Sequence, residues 1–137
     1  MKEKAVITNI RPAGDAHQVV QVRGGTTGHM HRPCETCPWR VDAVGEFPAE
    51  AFLHSAHTAY DMAMNTFACH TAGVEHPKTC AGFLLRGADH NLAVRCGLRD
   101  GKYMPVDDGG HALHDSYRDM AEANGVDPQH PALTRCR

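Results

Sequence analysis

Aromatic residues are scarce in this chain. Four Phe, three Tyr and a single Trp make up 6% of its 137 residues. That length suits one domain with a modest core. With 42% hydrophobic residues the chain is expected to fold, but few large side chains can anchor it, so something besides packing is expected to supplement the core. Long apolar runs are missing too. No stretch approaches the roughly 20 apolar residues that span a bilayer. The opening MKEKAVITNI has an apolar run too short for a secretory signal, broken by Thr8 and Asn9. No membrane association and a cytoplasmic location are therefore expected. The net charge of -2 gives no support to broad electrostatic binding of nucleic acid or of an anionic membrane. A Walker loop, a dinucleotide fingerprint and a G-x-S-x-G elbow are absent. No convincing catalytic set is visible, so a binding role is favoured over an enzymatic one.

Cysteine and histidine, by contrast, are plentiful, at six and eleven residues. In a reducing cytoplasm six cysteines are poorly explained as three disulfides, and metal binding or redox chemistry is the commoner use. Four of them stand out. Cys34 and Cys37 lie in RPCETCPWR, residues 32–40, and Cys69 and Cys80 follow as C-x10-C. A C-x2-C turn lets two thiolates face one point. Three or four converging thiolates repel one another unless a cation sits among them. Zinc with four thiolates, or with three and an imidazole, meets that need. His70 directly follows Cys69, and His76 lies four residues before Cys80, so either can take one place. His29 and His31 flank the first pair. Scattered cysteines also hold cuboidal iron–sulfur clusters, and the Cys37-Pro38 dipeptide is similar to that of ferredoxins. Zinc is the first expectation and a 4Fe-4S cluster the alternative. A third reading makes Cys34 and Cys37 a thiol–disulfide pair, although a glycine-rich loop precedes them where a strand is wanted. The plainest reading is buried apolar cysteines.

The local patterns predict an α+β domain. Lys4 to Ile10 and the valine-rich Ala16 to Arg23 read as a β-hairpin across the turn RPAGD. FPAEAFLHSAHTAYDMAM reads as the best helix, with Pro48 in its first turn and Phe52, Ala56, Ala59, Tyr60 and Ala63 on one face. A second helix is expected from Pro77 to Gly87. A third is expected from an Asp89 cap to Cys96, ended by Gly97. A last one carries Leu113, Tyr117, Met120 and Ala121 and stops at Asn124-Gly125. The expected architecture is a hairpin plus three or four short helices around a Cys-rich metal centre, in one domain of residues 1–125. Residues 126–137 are expected to be a loosely held tail, with Cys136 exposed and dispensable.

CETCPWR, then FACH, then KTCAGFLL resembles an uncharacterised family of small phage and bacterial proteins. Its members share a C-x2-C-P-W-R stretch, a Cys-His pair and a later Cys-Ala-Gly segment followed by apolar residues. The resemblance covers roughly Cys34 to Leu85. It implies a phage or prophage setting, hence host cytoplasm, and a shared centre of Cys34, Cys37, Cys69 and Cys80 with His70 beside it. It implies no activity. Cys96 and Cys136 lie outside the motif.

Other features have ordinary readings. Trp39 is expected in the core, while Arg40 can offset thiolate charge or meet a partner. His54 with His57, and His111 with His114, are spaced to chelate, but no carboxylate completes a set. DHNL, residues 89–92, faintly resembles HNH nucleases without their other polar residues. Arg86, Arg95, Arg99 and Lys102 form a basic stretch that reads as a solvated face, so nucleic acid is a weakly supported partner. The expected function is binding a macromolecular partner, a protein first of all, through a metal-stabilised domain.

Overall fold

The computed structural model describes residues 6–13 and 17–23 by their backbone, and residues 29–69, 78–103 and 105–136 in full. Strands β1 (Val6–Ala13) and β2 (His17–Arg23) form the expected antiparallel hairpin. The strand runs on through Pro12, which pairs with Gln18. Proline has no N–H for a ladder, and β1 can accept it because it is an edge strand in the order β1-β2-β3. The register shifts between Ile7 and Asn9, leaving Thr8 as a bulge. Strand β3 (Asn65–Phe67) pairs with β2 on its other side, and the sequence patterns did not reveal it. Isolated bridges continue the sheet past β3. Ala68 pairs antiparallel with Thr79, and Thr79 pairs in turn with His29.

Helix α1 (Ala49–Ser55) starts after Pro48 and carries Glu50 in its first turn, where an acid complements the positive helix end. It is much shorter than the sequence pattern predicts, because it tightens into a 3-10 turn over Ala56–Ala59. Ser55 Oγ donates to the Ala51 carbonyl and Thr58 Oγ1 to that of Ser55, a back-bonding that loosens helices. Tyr60 is already extended, since it bridges to Cys136. Helix α2 (Leu92–Arg99) is capped by Asn91 and not by Asp89. Asn91 is fully buried and satisfied. Its Oδ1 accepts from the Val94 N–H, while its Nδ2 donates to the carbonyls of Thr58 and Asn65. Gly97 does not end this helix. It is taken by the Tyr103 ring, which would stand 2.3 Å from an added Cβ. Helix α3 (Tyr117–Ala123) is capped by Ser116 and ends at Gly125, whose φ of +100° suits glycine.

Trp39, Phe52, Phe83, Tyr117, Met120 and Leu133 are among the largest fully buried side chains. Phe67 stacks on Phe83, and Trp39 meets Phe67 and Tyr117 edge-on. The scarce aromatics are thus gathered in one cluster. The architecture is α+β in a small single domain, as the sequence predicts. The tail is different from expectation. Val126 and Leu133 are buried, Arg118 donates to the Leu133 carbonyl, and Tyr60 Oη donates to that of Ala132. Residues 126–136 are docked on the core, not loosely held.

Candidate metal centre

The C-x2-C segment folds as a double turn. The Cys37 N–H donates to the Cys34 carbonyl at 3.1 Å, and the Arg40 N–H donates to the Cys37 carbonyl at 3.0 Å. Pro38 has no N–H, so the chain turns around the Cys37 side chain until the Trp39 N–H meets its sulfur. Arg40 closes the turn. Its Nη1 donates to the Cys34 carbonyl at 3.3 Å, and its Nε to Asp42 at 2.8 Å. The hydrogen bond with Asp42 holds the guanidinium above its ordinary pKa, while the positive charge faces Cys37 and Cys34. Trp39 anchors the turn in the core at 0% exposure.

Cys69 and Cys80 reach the same place from the other limb. The Cys69 N–H donates to the Lys78 carbonyl at 2.7 Å, and the Cys80 N–H to that of Phe67 at 2.8 Å. Those bonds frame the Ala68–Thr79 pair. Side chains alternate along extended strands, so Phe67, Cys69 and Cys80 share the face opposite to Ala68 and Thr79. Phe67 packs on Trp39, which makes that face the core face. Both cysteines are buried. Across Thr79, the Met30 N–H donates to its carbonyl at 2.9 Å, tying the segment that leads into Cys34 to the one that carries Cys80.

The two limbs meet at sulfur. Cys37 Sγ and Cys80 Sγ are 3.6 Å apart, and both residues are buried. Cys34, half-buried, also hydrogen-bonds Cys37. The Cys34 bond favours the Cys37 thiolate, but the bond with Cys80, burial and the like charge of Cys80 outweigh it and push the thiol well above its ordinary range. Among the described residues no cysteine is in a disulfide.

The structure therefore brings Cys34, Cys37 and Cys80 into a chain of sulfur contacts and sets Cys69 on the same face. Among the described residues no three His, Cys, Asp or Glu side chains already form a complete metal-holding group. His70 and His76, the imidazoles expected to take one place, lie outside the described residues. His29 packs on the rings of His31 and Tyr103, and His31 on the Pro105 carbonyl. His57 bonds Asn65, and His54 faces Glu50. Within DHNL, Asn91 is a helix cap and His90 pairs with Asp61, so both are engaged within the fold. Arg86, Arg95, Arg99 and Lys102 are exposed, as a solvated face requires.

The sequence marks Gly82 as part of a Cys-Ala-Gly segment and Gly87 as a helix end, and the structure gives both a packing role. An added Cβ would stand 2.5 Å from Trp39 Cβ at Gly82 and 2.3 Å from Trp39 Cη2 at Gly87. The indole thus lies against the backbone of the helical turn that begins just after Cys80 and turns π-helical over Phe83–Gly87. The signal was present in CAGFLLRG as two glycines five residues apart, but without the tertiary partner it reads as a helix broken at its end.

Fold and site together define a small α+β domain with a cysteine cluster between a knuckle-like turn and a strand edge. The chain belongs to a family of unknown function (DUF6283), whose family model matches residues 29–137. That span takes in all six cysteines and leaves out the β1–β2 hairpin. No curated protein and no solved structure matches the chain.

Proposed function

We propose that this protein is a metal-stabilised binding domain in which Cys34, Cys37, Cys69 and Cys80 hold zinc, with His70 as the residue that can replace one thiolate. The observation that carries the reading is the 3.6 Å separation of two sulfurs from residues 43 positions apart. Zinc–sulfur bonds of about 2.3 Å in a tetrahedron set neighbouring sulfurs about 3.8 Å apart, so Cys37 and Cys80 fit two positions on one ion. The thiolates of a 4Fe-4S cluster bind different irons and stand farther apart, which favours zinc over that alternative. Cys37 and Cys80 are 0% and 2% exposed, whereas an oxidoreductase needs a thiol that its substrate can reach, which speaks against the thiol–disulfide reading. A cation among the sulfurs would favour their deprotonated form.

Held in this way, the metal pins the turn of residues 34–40 to the strand edge of residues 67–80. It would supply folding energy that a core with few large side chains lacks. The partner we infer is a protein, in a phage or prophage setting and in the cytoplasm. Val41 and Val44, at 47% and 45% exposure, offer it apolar contact beside the knuckle.

Metal analysis of anaerobically purified protein is expected to give one zinc per chain and no absorption near 400 nm. Brown protein with iron and sulfide would overturn zinc in favour of the cluster. A structural zinc contributes on the order of 10 kcal/mol of apparent binding energy, against a typical stability of about 5–15 kcal/mol. Cys37→Ser is therefore expected to lose metal and cooperative melting, as wild type does in chelator. A variant that melts at the wild-type temperature, indifferent to chelator, would remove the structural role.

A further inference from the structure

We propose that Cys37 and Cys80 form a disulfide on exposure to peroxide, with Cys34 as the thiol through which the oxidant enters, so that the cysteine cluster is an oxidation-sensitive switch. For its consequence, metal release, this rests on the zinc reading above. The disulfide itself does not.

Three observations carry it. First, Cys37 and Cys80, both buried and from distant segments, are in sulfur–sulfur contact at 3.6 Å. A disulfide bond is about 2.05 Å long, so the sulfurs must close by only about 1.5 Å. Second, these two residues are 0% and 2% exposed, so dissolved peroxide does not reach them directly. Third, Cys34 is half-buried and already hydrogen-bonded to Cys37, which makes it the way in.

The chemistry balances. The Cys34 sulfur attacks one peroxide oxygen, the O–O bond breaks, and hydroxide leaves to become water. The Cys34 sulfenic acid that results is attacked by the Cys37 sulfur. The S–O bond breaks and a second water leaves with the Cys37 proton. The Cys80 sulfur then attacks Cys37 and expels Cys34, which recovers a proton from Cys80. In total, two thiols and one hydrogen peroxide give one disulfide and two waters, with two electrons passing from sulfur to oxygen. The product cannot offer Cys37 and Cys80 as thiolates, so the knuckle is cut loose from its metal while Cys34 ends reduced.

The test treats the full-length protein with hydrogen peroxide in two portions, one as purified and one stripped of metal under reducing conditions. Remaining thiols are alkylated and disulfides are mapped by mass spectrometry. The expected end product in the portion as purified is Cys37–Cys80 with Cys34 alkylated, and one ion should appear in solution per disulfide formed. The stripped portion, which the zinc reading expects to be unfolded, lacks the 3.6 Å contact and should give mixed disulfides. In the portion as purified, a Cys34–Cys37 end product, a bond to Cys69, or sulfinic acid on Cys34 without a disulfide would each overturn the proposal. Cys34→Ser is expected to slow Cys37–Cys80 formation by about tenfold or more, and an unchanged rate removes Cys34 as the entry. Should that variant fail to fold, the wild-type time course decides, because Cys34–Cys37 must appear before Cys37–Cys80. Protein purified without zinc whose stripped portion still gives Cys37–Cys80 would sink the zinc reading and leave the switch standing.

Discussion

Trp39 shows how much one residue organises here. Its ring lies against the backbone at Gly82 and Gly87, and its edges meet Phe67 and Tyr117. Two residues before it, Cys37 carries the sulfur that meets Cys80. The packing has a cost, because Trp39 Nε1 has no hydrogen-bond partner among the described residues, and a buried unpaired donor costs about 1–3 kcal/mol. Close approach to two glycines leaves the indole no room to turn toward an acceptor. Gly82→Ala would put a methyl 2.5 Å from Trp39 Cβ. Overpacking of this kind costs about 1–3 kcal/mol, so the urea midpoint is expected to fall and the fluorescence of the single tryptophan to shift to the red. A wild-type midpoint would show that Trp39 retreats without cost.

Among the elements, the C-terminal segment departs furthest from its sequence reading. Two prolines and polar neighbours make VDPQHPALTRCR look like a tail. Yet Pro131–Leu133 form a 3-10 turn whose first N–H is capped by His130 Nδ1, and Leu133 is fully buried. Leu133→Ala is expected to cost about 2–5 kcal/mol, the range for truncating a buried leucine; chemical denaturation measures it, and a loss under 1 kcal/mol would mean the tail is not part of the core. Cys136 follows the same correction. It is half-buried, its thiol donates to the Ala56 carbonyl, and burial pushes its pKa up to about 11. In Cys136→Ser the hydroxyl can keep that bond. Metal content is expected to match wild type, with melting lowered by no more than a few degrees. Loss of metal would place Cys136 in the ligand set.

For the whole molecule, pH reports on the buried junction between the knuckle and the start of α3. His114 is 8% exposed, its backbone N–H donates to the Trp39 carbonyl, and its ring Nε2 has no partner among the described residues. Burial lowers its pKa below the ordinary histidine value, against the opposing pull of Asp119 and Asp115. The fold thus favours neutral His114, and the unfolded chain binds the extra proton as pH falls. This contribution is flat above about pH 7 and is lost progressively below about 6.5, the unfolded histidine value. His114→Gln should remove that part of the slope. The check is the difference in unfolding free energy between the two proteins from pH 5 to pH 8, both measured in the same zinc-containing buffer, where acid release of metal is common to both and cancels in the difference. Parallel curves would mean that His114 is protonated as readily in the fold as out of it.

By itself the sequence determined the local matters. Valine-rich alternation specified the hairpin, apolar spacing and the Asn124-Gly125 stop specified α3, and the C-x2-C-P spacing specified a turn with its two cysteines close. These are short-range effects, in which backbone and side chain decide within a few residues. What needed the tertiary structure were the partners of each piece. The helix predicted from residue 48 onward ends early because Tyr60 bridges to Cys136. A third strand exists because Asn65–Phe67 finds β2, and the tail docks because Leu133 reaches a pocket built by distant elements. So it is with the sulfurs. The spacing placed Cys34 near Cys37, but Cys80 joins them because the Ala68–Thr79 pair turns it toward the core and the glycines at 82 and 87 let Trp39 bring Cys37 down to meet it. Contacts between residues forty positions apart depend on which surfaces pack, and no local pattern encodes that.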